Sequence, residues 1–451
     1  MSGGKRKGGI AHIIAVNMGY GHERPANVMR RFASGKSIII ANDYEGIPKH
    51  DRETWKTNRE RYEKISRFKK VPVAGKLVFG VMDELQRIPA FYPRRDLSGP
   101  SLQLRQSYYL IQQKHLMKDL IEKLAEDPKP ILATFPLPAF AAEEFGYPGD
   151  IYCLCTDADV SRAWAPLDPK KTRIHYFAPN GRVQERLKLY GVPAKNIHHT
   201  GFPLPIENIG HEDKVILKDL QRRLCRLDPN GHFMSHNGEA VAAKVGETFC
   251  SVVRKKNAHT LQLAFAVGGA GAQREIGITI AKSLKRDIRQ GRIVLHLIAG
   301  TRPEVAQYFR AELKELGLSS ALKKGQVQIL IEQNRTDYFD AFTKLARDID
   351  ILWTKPSELS FYAGLGIPVV MAPTVGSQED FNKHWLQQIG AGVEQLDPRY
   401  ANEWLFDWVQ SGALARMAWH GYIEAPTHGA HRIADVLEGD EQEYPPHPMV
   451  V

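Results

Sequence analysis

The sequence predicts an α/β protein made of two doubly wound, parallel-sheet domains. Three observations carry this expectation. Strand-like apolar runs alternate with helix-periodic segments along most of the chain. The alternation breaks once, after residue 205, and then restarts. Glycine-containing turns follow the first strand of each half, where open parallel sheets place their ligands.

The first half reads in order. "AHIIAV" (11–16) is a buried strand, "ERPANVMRRFA" (23–33) a helix and "SIIIAN" (37–42) a second strand. Residues 102–126 have helical periodicity with lysine near the end. "PILATF" (130–135), "IYCLCTD" (151–157), "RIHYFAP" (173–179) and "NIHHTGFP" (196–203) are further strands, with the helix "GRVQERLKLYG" (181–191) before the last. Residues 206–258 are polar and helical in patches, with "DPNGHFMSHNG" as a loop. The second half then gives "TLQLAFAVGGAGAQ", "RIVLHLIAG", "GQVQILI", "DIDILWT" and "IPVVMAP" as strands. The expected domains are 1–204 and 205–437, the latter with a helical insertion near 206–258, followed by a charged tail, 438–451.

At 451 residues the chain is long enough for more than one core, and 43% hydrophobic with 25% charged residues is an ordinary globular balance. The formal charge of +10 favours an anionic partner. No run reaches the length of a membrane-spanning helix, and the N-terminal apolar run is short for a signal peptide, so a cytoplasmic protein is expected, with peripheral attachment to a membrane left open. None of the four cysteines, Cys153, Cys155, Cys225 and Cys250, forms a C-x-x-C pair, and free buried thiols are expected. Residues 49–76 are basic, with Trp55, Tyr62 and Phe68 interleaved. The segment is either a membrane-facing basic surface or, more simply, a solvated helix with aromatics packed inward.

The chemistry-bearing residues follow strands. "NMGYGHERPA" (17–26) carries Gly19 and Gly21, suited to tight turning, and His22, whose imidazole can act as a base near neutral pH. In the second half Gly268, Gly269 and Gly271 lie between a strand and a helix, a setting that suits a phosphate or diphosphate. The turn is neither a P-loop nor a full dinucleotide fingerprint. Lys355-Pro356-Ser357-Glu358 ends one later strand and Gln378-Glu379 follows the next, with Asn382 one helical turn on. "HGAHR" (428–432) offers a histidine pair, but a polar turn is the simpler reading and no metal site is expected.

The ordered set resembles the GT-B glycosyltransferases of family 28, above all the monogalactosyldiacylglycerol synthases, the diacylglycerol glucosyltransferases and the peptidoglycan N-acetylglucosaminyltransferase. The resemblance rests on Gly21-His22, on Thr156-Asp157 followed by Trp164, and on Thr200-Gly201-Phe202-Pro203. It continues with "VGGAGAQ" (267–273), "TKPSE…GIP" and the Gln378-Glu379…Asn382 group. It spans roughly residues 11–436 without the insertions.

What the resemblance implies is a GT-B fold, two Rossmann-like domains facing across a cleft. The activity implied is transfer of a sugar, with inversion, from a nucleotide-sugar donor, in this family usually a UDP-sugar. The acceptor stays open, with a lipid reached through 49–76 as one class. No cofactor, bound metal or nucleic-acid partner is implied. His22 is the implied base, with Asp157 as a second catalytic candidate and Gly19 and Gly21 in the acceptor-side loop. The implied donor-binding residues are Gly268, Gly269, Gly271, Gln273, Lys355, Ser357, Glu358, Gln378, Glu379 and Asn382. Ser357-Glu358 stands where the family has a glycine pair, and Ala363 lies near its ribose-binding glutamate. An epimerase or hydrolase of the same fold and a non-catalytic nucleotide-sugar-binding protein are the alternatives.

Overall fold

The computed structural model describes residues 9–57, 88–246, 260–268, 271, 273–374 and 376–440. They form two compact units, Met1–Pro203 with Gly376–Phe381 and His428–Val451, and Leu204–Val375 with Asn382–Thr427.

The first unit holds a six-stranded parallel sheet. Its strands are β1 (His12–Ala15), β2 (Ile39–Ile40), β3 (Ile131–Ala133), β4 (Ile151–Leu154), β5 (Ile174–Ala178) and β6 (Ile197–His199). Their order is β2-β1-β3-β4-β5-β6, so the winding reverses between β1 and β3. One sheet face carries the apolar core, with Ile14, Ile131, Ala133, Ile151, Cys153, Ile174, Tyr176 and Ile197 packed on helices that include Leu102–Lys114, Lys118–Ala125 and Gly181–Leu189. Cys153 and Cys155 are free, buried and share that face, as their alternation requires.

The second unit repeats the architecture with β7 (Leu261–Ala266), β8 (Ile293–Gly300), β9 (Val327–Ile331), β10 (Ile351–Thr354), β11 (Val369–Met371) and β12 (Gly392–Glu394). All are parallel, in the order β12-β11-β10-β7-β8-β9. Renumbered within the unit this is 6-5-4-1-2-3, the Rossmann order, with its reversal between β7 and β10. Gly277 lets its helix settle on this sheet, since a Cβ there would stand 2.8 Å from Cδ1 of Phe265. The pair of Rossmann-like domains that constitutes the GT-B class is thus present.

Several expectations need correction. The helical run 102–126 is two helices, because His115 and Met117 adopt positive φ and break it. The Asp51 carboxylate, accepting the N–H of Met117 at 3.0 Å, holds that break. The first helix starts at Tyr20, so Gly21 is helical and only Gly19, at φ 131°, needs a glycine's freedom. Cys225 is disulfide-bonded rather than free, while Cys250 lies outside the described residues. The helix Gly429–Glu438 groups with the first unit, where Arg432 donates to the carbonyl of Thr200 and Gly429 packs on the backbone of Phe202. Strand β12 has no counterpart in the sequence reading. Of the basic segment 49–76, Trp55 is buried in the first core, which suits the simpler reading at that residue. Tyr62 and Phe68 lie outside the described residues.

Candidate active site

In the first unit, the winding reversal places the end of β1 beside the end of β3. Gly19 is the N-cap of the helix Tyr20–Met29, and His22 sits in that helix's first turn. The loop after β3 supplies Thr134. Its hydroxyl donates to the backbone carbonyl of His22 at 2.7 Å, and its own carbonyl oxygen lies 2.9 Å from His22 Nδ1. A carbonyl only accepts, so Nδ1 carries the proton and Nε2 is the ring nitrogen with the basic lone pair. Thr156 Oγ1, at the end of β4, lies 3.3 Å from the same Nδ1. The ring is further held edge-on by Phe135, centroids 4.9 Å apart, and lies tilted against Trp164 at 6.2 Å.

Asp157 directly follows Thr156 and is half-buried at the same end of the sheet. Three sheet-end loops therefore contribute to one half-buried cluster around an imidazole of fixed tautomer. The sequence reading named His22, Asp157 and Thr156 but missed Thr134 and Phe135. "PILATF" ends in them, and a polar residue closing an apolar strand beside the first strand was the available signal.

In the second unit the reversal brings the turn after β7 beside the loop after β10. Thr354 Oγ1 donates to the carbonyl of Ala266 at 3.2 Å, pinning the two strand ends together. Gly268 opens the turn, whose closure is a 2.7 Å bond from the N–H of Gly271 to the carbonyl of Gly268. Lys355 lies across Gly268. A Cβ on that glycine would stand 2.5 Å from Lys355 Cε and 3.3 Å from Nζ. Gly271, at φ 70°, passes 3.4 Å from Arg302 Cδ by the same measure. Gly268 and Gly271 thus lie against the side chains of Lys355 and Arg302, and the Arg302 guanidinium reaches Glu304 at 3.4 Å. Arg302, after β8, was not among the expected site residues.

Gln273 is the N-cap of the helix Arg274–Ser283, in left-handed conformation, and its amide donates to the carbonyl of Pro373 after β11 at 2.8 Å. Gly268, Gly271, Gln273 and Lys355 are therefore gathered at the sheet's topological switch point, while Gly269 lies outside the described residues. Ser357 is half-buried and Glu358, 7% exposed, begins the turn of 3₁₀ helix Glu358–Leu365. Ala363 is fully buried, with its carbonyl oxygen 2.4 Å from where a Cβ on Gly421 would stand. Its backbone packs against the helix Ala413–Glu424.

Gln378 and Glu379 open the helix Ser377–Gln388 and fall in the short stretch that groups with the first unit. Asn382, on the same helix, is fully buried and groups with the second. Among the described residues no three His, Cys, Asp or Glu side chains are placed to hold a metal ion, and no helix is long and apolar enough to cross a membrane.

Comparison with known proteins gives three findings. Residues 225–418 match the family model described as a domain of unknown function, DUF6938. No curated protein matches the chain. Solved structures that resemble it include MurG of Acinetobacter baumannii, 12% identical, covering 95% of this chain and 99% of that one with a TM-score of 0.46. Also similar are MnaA of S. aureus with UDP, 12% identical over 73% of this chain and 80% of that one, TM-score 0.44, and the UDP-GlcNAc 2-epimerase of Neisseria meningitidis bound to UDP-GlcNAc, 13% identical over 81% and 88%, TM-score 0.43. At such identities and scores these likenesses assign no activity to this chain.

Proposed function

We propose that the protein is an inverting glycosyltransferase that uses a nucleotide-sugar donor, of the UDP-sugar class, and a hydroxyl-bearing acceptor. The observation that carries this reading is the glycine turn at the β7–β10 switch point, flanked by Lys355 and Arg302. A glycine turn at the start of a helix, with a lysine and an arginine beside it, suits a diphosphate, whose charge grows as the bond to the sugar breaks.

In this reading His22 takes the acceptor's proton at Nε2. The acceptor oxygen forms a bond to the anomeric carbon as the bond from that carbon to the diphosphate oxygen breaks. The electron pair leaves on the nucleoside diphosphate, and the configuration inverts. Gln378 and Glu379 are assigned to the sugar hydroxyls and Asn382 to holding their helix. Because Ala363 is sealed, Glu358 is the carboxylate assigned to the ribose. The acceptor class proposed for a chain with a basic 49–76 segment is a lipid, as for a monogalactosyldiacylglycerol synthase-like enzyme.

A second reading, donor binding without turnover, draws on the same buried Ala363, since the family's ribose-binding carboxylate is displaced. Incubation with a panel of UDP-sugars, with and without diacylglycerol acceptors, separates the readings. Acceptor-dependent release of UDP supports transfer. A donor-induced thermal shift with neither UDP release nor a changed sugar supports the binding protein. A changed sugar without acceptor supports an epimerase.

A further inference from the structure

The stretch "DPNGHFMSHNG" takes part in neither cluster above. Asp228 follows the helix Lys214–Leu227, and its carboxylate accepts the backbone N–H groups of Phe233 at 3.1 Å and Met234 at 2.9 Å. It thereby caps the helix Met234–Val245 and brings His232 and His236 one turn apart.

The Ser235 hydroxyl has one proton and gives it to the carbonyl of His232 at 2.8 Å. Its oxygen then accepts from His236 Nδ1–H at 2.9 Å, which leaves Nε2 as that ring's lone-pair nitrogen. Opposite stands Gly412, at φ 72°, where a Cβ would lie 2.9 Å from both Asp228 Oδ1 and Phe233 N. Only a glycine fits there, and it forms one wall of a solvent-open cavity of about 640 Å³, at which His232, His236, Ser411 and Arg416 are exposed. The cavity is lined by His232, Phe233, His236, Asn237, Ser411 and Arg416, besides the backbone at Gly412 and Ala413.

The chemistry of this lining is one-sided. It holds a permanent cation, two imidazoles, an amide and a hydroxyl, and no carboxylate. Asp228, behind the wall, already accepts two N–H groups. The volume falls inside the range of about 300–1,000 Å³ typical of small-molecule pockets and far exceeds a bare oxyanion.

We infer that this cavity binds a phosphate-bearing small molecule. The fork of Arg416 takes the phosphate oxygens, the geometry for which guanidinium is suited. Asn237 donates to a remaining oxygen through the amide proton it does not give to the carbonyl of Phe233, and Nε2 of His236 accepts from a hydroxyl of the organic part. The site shares no residue with the switch-point turn and does not depend on the glycosyltransferase reading.

The test is calorimetric titration with glucose 6-phosphate and with inorganic phosphate, against sodium chloride at matched ionic strength. The full chain is compared with Arg416→Gln, Arg416→Lys, His236→Gln and Lys355→Ala. Glucose 6-phosphate binds wild type more tightly than phosphate does. Arg416→Gln weakens it roughly 10- to 100-fold, the size of a lost charge-assisted bond, and Arg416→Lys recovers part of that. Lys355→Ala leaves it unchanged. Unaltered affinity in Arg416→Gln, an equal response to chloride, or loss of binding in Lys355→Ala each overturn the proposal, the last by moving the anion to the switch point. Imidazole NMR signals of His232 and His236 give a readout that needs no variant. They move on adding glucose 6-phosphate, and unmoved signals at saturation refute the site.

Discussion

The carbonyl oxygen of Thr134 lies 2.9 Å from Nδ1 of His22 and fixes which ring nitrogen of that histidine is basic. A main-chain acceptor cannot be removed by substitution, so the tautomer is built into the fold rather than into a neighbouring side chain. His22→Ala is therefore expected to lower turnover by about 10²–10⁴. The donor-induced thermal shift should persist. Turnover within tenfold of wild type would pass the base role to Asp157.

Thr156→Val tests a smaller contribution. Its hydroxyl lies 3.3 Å from the same Nδ1, a weak bond by length. Its loss should slow turnover by roughly two- to tenfold, the worth of a net hydrogen bond of about 0.5–1.5 kcal/mol. A far larger loss would show that Thr156 touches substrate.

Lys355→Ala should weaken free UDP and UDP-sugar together, by roughly 10- to 100-fold, because the lost contact is to the phosphates they share. Gln378→Ala and Glu379→Ala should instead weaken the UDP-sugar more than UDP. Calorimetry on the six combinations of variant and ligand decides it, and equal losses for UDP and UDP-sugar in the loop variants would refute the assignment of that loop to the sugar.

Gly268→Ala is expected to fold and to bind donor poorly. The new methyl group would meet the flexible end of Lys355, 2.5 Å from Cε, so the lysine moves aside. Stability should change little, while donor affinity falls toward that of Lys355→Ala. Wild-type affinity would show that Lys355 acts from another position.

His296 on β8 gives a pH signature. Its Nε2 lies 2.9 Å from Gln262 Oε1, and burial lowers its pKa to about 4, against a small opposing pull from Asp348. Unfolded, the imidazole titrates near pH 6.5. Between these values the unfolded chain holds the proton and the folded one does not. This contribution is intact above about pH 6.5 and is lost as pH falls toward 4, at up to about 1.4 kcal/mol per pH unit. Denaturant melts of wild type and His296→Gln should diverge in slope across that window. Parallel slopes would show that His296 is protonated in the native state.

The strands and their alternation were legible because both sheets are buried on both faces, so strands such as "AHIIAV" and "DIDILWT" stand out as apolar runs. The switch-point cluster was legible for a topological reason: glycines after a first strand and a lysine after a fourth must meet if the order is Rossmann-like. What the residues could not announce depends on distant packing. Arg302 is one arginine in a charged segment until β8 is placed beside β7. Ala363 reads as a helix residue until Gly421 seals it. The break at His115–Met117 is invisible locally because its cause, Asp51, lies far away in sequence. Strand β12 has only three residues, too few to show a period.

The return of the last helix to the first unit constrains how this chain can be made. Gly429 lies on the backbone of Phe202, and Arg432 reaches the carbonyl of Thr200, so the first unit is finished by residues synthesised after nearly the whole second unit. On the ribosome the amino-terminal unit emerges with this last helix still unmade, while the carboxy-terminal unit follows. A fragment ending at residue 203 would carry that gap permanently. An N-terminal fragment joined directly to residues 428–440 would close it.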